Sequence, residues 1–147
     1  MDCISFEKIW QDDNLIELKI FASSEFVSAY QNCYIQNVDL TTIAEKICEY
    51  THNYKETCYL EFGKKEGNFT PAFSMCILPA DISGHIKIEV DIEIDDNDTR
   101  MHRCCFYVNS ELGLVESFGQ SIKKLVVAEL GEKFILNYSD NGKNPCI

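Results

Sequence analysis

The sequence predicts an α+β fold: a mostly antiparallel sheet of about six or seven strands carrying two helices, in the order β-β-α-β-β-β-β-α-β. Three observations predict it. Apolar and polar residues alternate over several short stretches, the period of half-buried strands. The period changes to three and four residues in two segments, near 39–50 and 110–126, as an amphipathic helix requires. The strand-like stretches are joined by links too short for parallel crossovers, so neighbours pair antiparallel and the helices collect on one face.

Residues 15–21 place Ile16, Leu18 and Ile20 on one side and Glu17 and Lys19 on the other, a first strand. Residues 26–35 are rich in Tyr, Val and Ile and form a second, with 22–25 as the hairpin link. A helix then starts at Asp39 as N-cap, with Val38 and Ile43 as a hydrophobic staple. Its apolar stripe is Leu40, Ile43, Ala44, Ile47 and Cys48, and it ends between Tyr50 and Asn53. Strands follow at 57–62, closed by Gly63, at 72–78, between Pro71 and Pro79, and at 85–95, opened by Ser83-Gly84. Residues 101–108 pair with the last of these as a hairpin. Ser110 caps the second helix, whose stripe is Val115, Phe118, Ile122, Leu125 and Val126, with Lys123 and Lys124 suiting its C-terminal end. Gly119 inside that helix costs about 1 kcal/mol against Ala. Gly131 stops the helical region, and 133–138 add the last strand. One domain over 1–138 and a flexible tail at 139–147 complete the expectation.

Of 147 residues, 46% are hydrophobic and 12% aromatic, enough for one core. Thirteen Lys and Arg stand against 24 Asp and Glu, a net charge of −11. Nucleic-acid binding needs clustered cations to displace counterions, so this balance argues against it, and equally against an anionic membrane surface. The first residues lack a basic start and apolar stretch, and no apolar run approaches the ~20 residues of a membrane span. The expected setting is the cytoplasm, with the eight cysteines, irregularly spaced and without a C-x-x-C pair, as reduced thiols.

The most informative segment is 84–95, where Ile and Val occupy one face and Glu89, Asp91, Glu93 and Asp95 the other. Side chains on one face repeat every ~6.8 Å along a strand. Neighbouring carboxylates at that distance repel by about 0.6 kcal/mol in water and about 2.4 kcal/mol at an effective dielectric of 20. Such a row is tolerable when wet and costly when dried without cations, so a basic protein surface is the partner it suits. A solvated face that limits aggregation is the plainer reading of the same residues.

Catalytic, metal and cofactor signatures are not found. The 95–99 turn has alternating oxygen ligands but Arg100 and Phe106 stand where a calcium loop needs Gly and Glu. Ser121-Ile122-Lys123-Lys124 matches S-x-x-K without its companion motifs. His52, His85 and His102 are isolated, though Cys58 or Cys105 can still meet a His in space. Trp10 is either an interface anchor or packing for the first strand.

Four segments carry a resemblance: Trp10-Gln11-Asp12-Asp13, Glu61-Phe62-Gly63, the run from Gly84-His85-Ile86 to Val90, and the run from Cys105-Phe106-Tyr107 to Leu114. With them the chain resembles the immunity proteins of bacterial polymorphic toxin and contact-dependent growth inhibition systems. That resemblance implies a cytoplasmic protein, without cofactor, that binds a cognate toxin domain, often a basic nuclease, and blocks it without chemistry. It carries over no functional residue. The partner-binding expectation of Glu89, Asp91, Glu93 and Asp95 is read from the sequence itself. A small enzyme or ligand-binding domain, and a structural adaptor or oligomer subunit, are the alternatives.

Overall fold

The structure, a computed structural model, describes residues 2–63, 72–97 and 100–137. The element order is β1 (Cys3–Gln11), β2 (Leu15–Ser23), β3 (Ser28–Gln36), α1 (Asn37–His52), β4 (Cys58–Phe62), β5 (Ala72–Ile77), β6 (His85–Asn97), β7 (Arg100–Glu111), α2 (Leu112–Leu125) and β8 (Lys133–Asn137). The fold is α+β with two helices, as expected, but the eight strands form two antiparallel sheets rather than one. The first runs β3-β2-β1-β8 and the second β4-β5-β6-β7. Alternation marks strands but not which strands share hydrogen bonds, and α1 carries the chain from one sheet to the other. The tail expected at 139–147 lies outside the described residues.

β1 is the strand that the expected order lacks. It is central, paired to β2 on one side and β8 on the other. Cys3, Ile4, Ser5 and Phe6 are buried in succession, so no polar-apolar alternation advertises the strand. Lys8, which broke the pattern further, turns out to be fully enclosed at 0% exposure on the core side. Its Nζ donates to the carbonyl oxygens of Leu125 at 2.9 Å, Val126 at 3.1 Å and Ala128 at 2.7 Å, acceptors at the end of α2, where the helix supplies few donors of its own. Gln11 Nε2 adds a bond to Val126 O at 3.0 Å. A cation among C-terminal carbonyls also meets the negative end of the helix dipole. Burial lowers the Lys8 pKa from its ordinary value, with Glu132 opposing that shift.

The core lies between the two sheets and the helices. Phe6 touches Phe62 of β4 (centroids 4.9 Å apart), Phe73 of β5 (5.9 Å) and Phe118 of α2 (5.2 Å). The helices cross closely at Gly119, where an added Cβ would stand 2.6 Å from Ile47 Cγ2. The glycine that weakened the helix in sequence is what lets it meet α1.

Several local expectations shift. α1 begins at Asn37 with Gln36 as N-cap, so Asp39 sits within the first turn, where its charge still suits the dipole. Val38 is 67% exposed and staples nothing, and Cys48 faces solvent while Tyr50 completes the buried stripe. Ser110 lies within β7 instead of capping α2, its side chain drawn inward by the strand's alternation. The N-cap is Glu111, without a side-chain bond. Phe26 is 88% exposed in the β2–β3 turn, closed by a bond from Ser24 N to Val27 O, so β3 starts later than expected. Six described cysteines are free thiols, whereas Cys3 is disulfide-bonded, against the expectation of eight reduced thiols; spacing along a chain does not reveal which thiols a fold brings together.

Candidate interaction face

The second sheet owes its two faces to β6. Ile86, Ile88, Val90 and Ile92 point into the core, so Lys87, Glu89, Asp91 and Glu93 point out. Register with the neighbours arranges three cross-strand rows on the outer face: Tyr59, Cys76, Glu89 and Tyr107; then Glu61, Ser74, Asp91 and Cys105; then Ala72, Glu93 and Arg103. Among the described residues no helix or strand covers this face, and Tyr59 and Tyr107 are 43% and 51% exposed. The small side chains of β5 lie shielded between longer neighbours.

The carboxylates do not stand bare. Arg103 reaches diagonally to Asp91 in a two-pronged bond, Nε to Oδ1 at 3.0 Å and Nη2 to Oδ2 at 2.8 Å, and the Asp91 side chain is 13% exposed. Tyr107 Oη donates to Glu89 Oε2 at 2.9 Å, and Tyr59 Oη to Glu61 Oε2 at 3.0 Å. Glu89 and Glu93 are half-buried. The side chain of Asp95 lies outside the described residues. The expected row therefore exists as Glu89, Asp91 and Glu93, with Asp91 neutralised by Arg103 and Glu89 held by Tyr107. A hydroxyl donor fixes a carboxylate without cancelling its charge. The bond to Glu89, followed by that charge, raises the Tyr107 pKa above its ordinary value.

Arg103, Tyr59 and Tyr107 belong to the face and were passed over in sequence. Two of them were reachable, because the hairpin register of β6 and β7 puts Arg103 and Tyr107 beside the acidic residues.

The first sheet presents a different exterior. Glu7 lies between Lys19 of β2 and Lys133 of β8. Lys19 Nζ sits 5.5 Å from the Tyr30 ring, and Trp10 meets Tyr34 edge-on at 6.1 Å. Trp10 thus stands on β1, partly exposed, against β3.

Among the described residues, His52 and His85 bind groups other than a thiol. His52 Nδ1 lies 2.8 Å from Cys48 O, and His85 Nδ1 lies 3.3 Å from Asp81 Oδ2 in a turn that Asp81 also caps through Ser83 N and His85 N. Burial pushes the Cys58 thiol up to about 11, and burial followed by the charges of Glu89 and Asp91 raises that of Cys105, the reverse of what a thiolate nucleophile needs. Among the described residues no group of three or more His, Cys, Asp or Glu is placed to hold a metal ion. A cavity of about 430 Å³ opens at the end of the second sheet, lined by Leu78, Asp81, His85, Lys87, Asn109 and Ser110. The Ser110 hydroxyl, buried there, has no hydrogen-bond partner. No described helix is long and apolar enough to cross a membrane. No protein-family model, curated protein or solved structure matches the chain.

Proposed function

We propose that the protein is an immunity-type inhibitor of the cytoplasm that neutralises a basic toxin domain by binding it through the outer face of the second sheet. The observation that carries this reading is an open sheet face on which Glu61, Glu89, Asp91 and Glu93 outnumber Lys87 and Arg103, framed by two exposed tyrosines. Tyrosine and charge in this arrangement suit a protein interface, since Tyr supplies contact area at low entropic cost and complementary charge speeds encounter. Carboxylates already held by Tyr107 and Tyr59 lose less freedom on binding than mobile ones.

Charge reversal at Glu89 and Glu93 together tests it, leaving the Arg103–Asp91 pair intact. Titration against the toxin domain encoded beside this chain should show an affinity loss of about tenfold or more, roughly 1.4 kcal/mol, with a weaker salt dependence. Unchanged affinity removes this face from the reaction. A ligand-binding role is the second reading, favoured by the unpartnered Ser110 hydroxyl in the 430 Å³ cavity. A thermal shift with a metabolite, abolished by His85→Ala, would support that reading instead.

A further inference from the structure

Among the described residues β7 is an outer strand of the second sheet, paired to β6 alone. Its register is unbroken from His102 to Glu111, so successive residues alternate in pointing their N–H and C=O groups toward β6 or away from it. Asn109 fixes the phase, because its N–H leaves the sheet and binds Asp2 Oδ2 at 2.7 Å. By the two-residue period, Tyr107, Cys105 and Arg103 direct their backbone groups away as well. No strand or side chain among the described residues takes the N–H of Cys105 or Tyr107.

An edge of this kind is a template for another strand unless bulges, prolines or charges blunt it. Here no bulge or proline interrupts residues 102–111. A strand added beside β7 would lie next to Arg103, Cys105 and Tyr107 on the outer face. Glu89, Asp91 and Glu93 come one strand further in, at the ~4.8 Å spacing of paired strands. Cys105, the small side chain opposite Asp91, stands between Arg103 and Tyr107 along the outer face of β7. A second copy of the chain fits poorly, because edge-to-edge pairing would set two acidic rows on one continuous face and bring together two bodies of net charge −11.

We infer that β7 is a docking edge, which an extended basic segment of the partner joins as a fifth strand while its alternate Lys or Arg side chains cross Cys105 toward Glu89 and Glu93. This rests on the reading of the face as partner-binding, and names how the partner is held.

A short synthetic peptide of alternating Lys and Val tests it, by fluorescence anisotropy at low salt and by hydrogen exchange at the Cys105 and Tyr107 amides. Binding should protect both amides. Cys105→Pro, which removes an outward N–H and spares the bonds to β6, should weaken binding about tenfold or more with little change in thermal midpoint. Should that variant not fold, the peptide N-methylated at its lysines or at its valines serves in its place, and at least one of the two must lose binding. Peptide affinity that survives both changes but falls on charge reversal at Glu89 and Glu93 overturns strand addition and leaves the acidic face standing. Protection of both amides in the free chain, or no binding of the peptide, overturns the docking edge. Loss of toxin binding on charge reversal then decides the acidic face separately.

Discussion

The exteriors of the two sheets are built from similar residues and use them differently. On the first, Glu7 lies between Lys19 and Lys133, so opposite charges face each other across the strands and the surface settles its own balance. On the second, one arginine answers Asp91, and Glu89 is held by a hydroxyl that leaves its charge intact. The first sheet even draws a lysine inside, where Lys8 closes the end of α2. Charge is thus balanced across the strands of one sheet and left standing at Glu89 in the other. The distinction is measurable: substitutions in the first sheet should cost stability, and those in the second should cost binding.

The largest effect is expected at Lys8. Lys8→Met keeps much of the stem but removes three bonds to the carbonyls that end α2 and leaves Ala128 O without its donor, a loss on the order of 3 kcal/mol. It should appear as a lower urea midpoint at unchanged m-value, and a loss below about 0.5 kcal/mol would break the contrast. Next comes alkaline pH. Cys33, enclosed on β3, is raised to about 12 by burial, against a backbone hydrogen bond with Phe73, and buried Tyr50 is also raised to about 12. Both folded values exceed those of the unfolded chain. The stability they supply is complete below pH 9 for the thiol and 10 for the phenol, and is lost as pH rises toward 12. The slope approaches about 1.4 kcal/mol per pH unit for each group. Cys33→Ala should be less steeply destabilised by alkali than the parent, although less stable at neutral pH. Lys8, with its lowered pKa, acts in the opposite sense, gaining as pH approaches 10.5. Equal alkaline slopes in chemical denaturation of parent and Cys33→Ala would refute the assignment.

Gly119→Ala should cost about 1–3 kcal/mol by overpacking against Ile47, despite the gain in helix propensity, and calorimetry would read it as a lower thermal midpoint. The smallest effect is expected at Glu7→Gln, less than about 1 kcal/mol, since exposed pairs contribute little. Partner affinity should not change. If it falls as far as on reversing Glu89 and Glu93, the two faces are not functionally distinct.

The second sheet was nearly readable in sequence. Its strands are consecutive hairpins, and β6 alternates without interruption from Ile86 to Ile92, so both strand and acidic face follow from period alone. β1 was not readable, because a strand buried on both sides shows no alternation and Lys8 looks like a surface residue until the end of α2 is placed above it. The carboxylates were legible as a row but not as partners. Which hydroxyl or guanidinium holds each one depends on the register of β6 against β7, a long-range property. Gly119 shows the same limit, since its cost is local and its use lies on the other helix.

The central place of β1 has a consequence for the order of events during synthesis. The second sheet can zip up hairpin by hairpin as its residues emerge, each closure being short in sequence. β1 is made among the first residues yet waits for 133–137 to flank it, and for the carbonyls of 125–128 to receive Lys8. The sheet begun first is therefore finished last, a slow, non-local closure that leaves one side of β1 unpaired until the other seven described strands have been made.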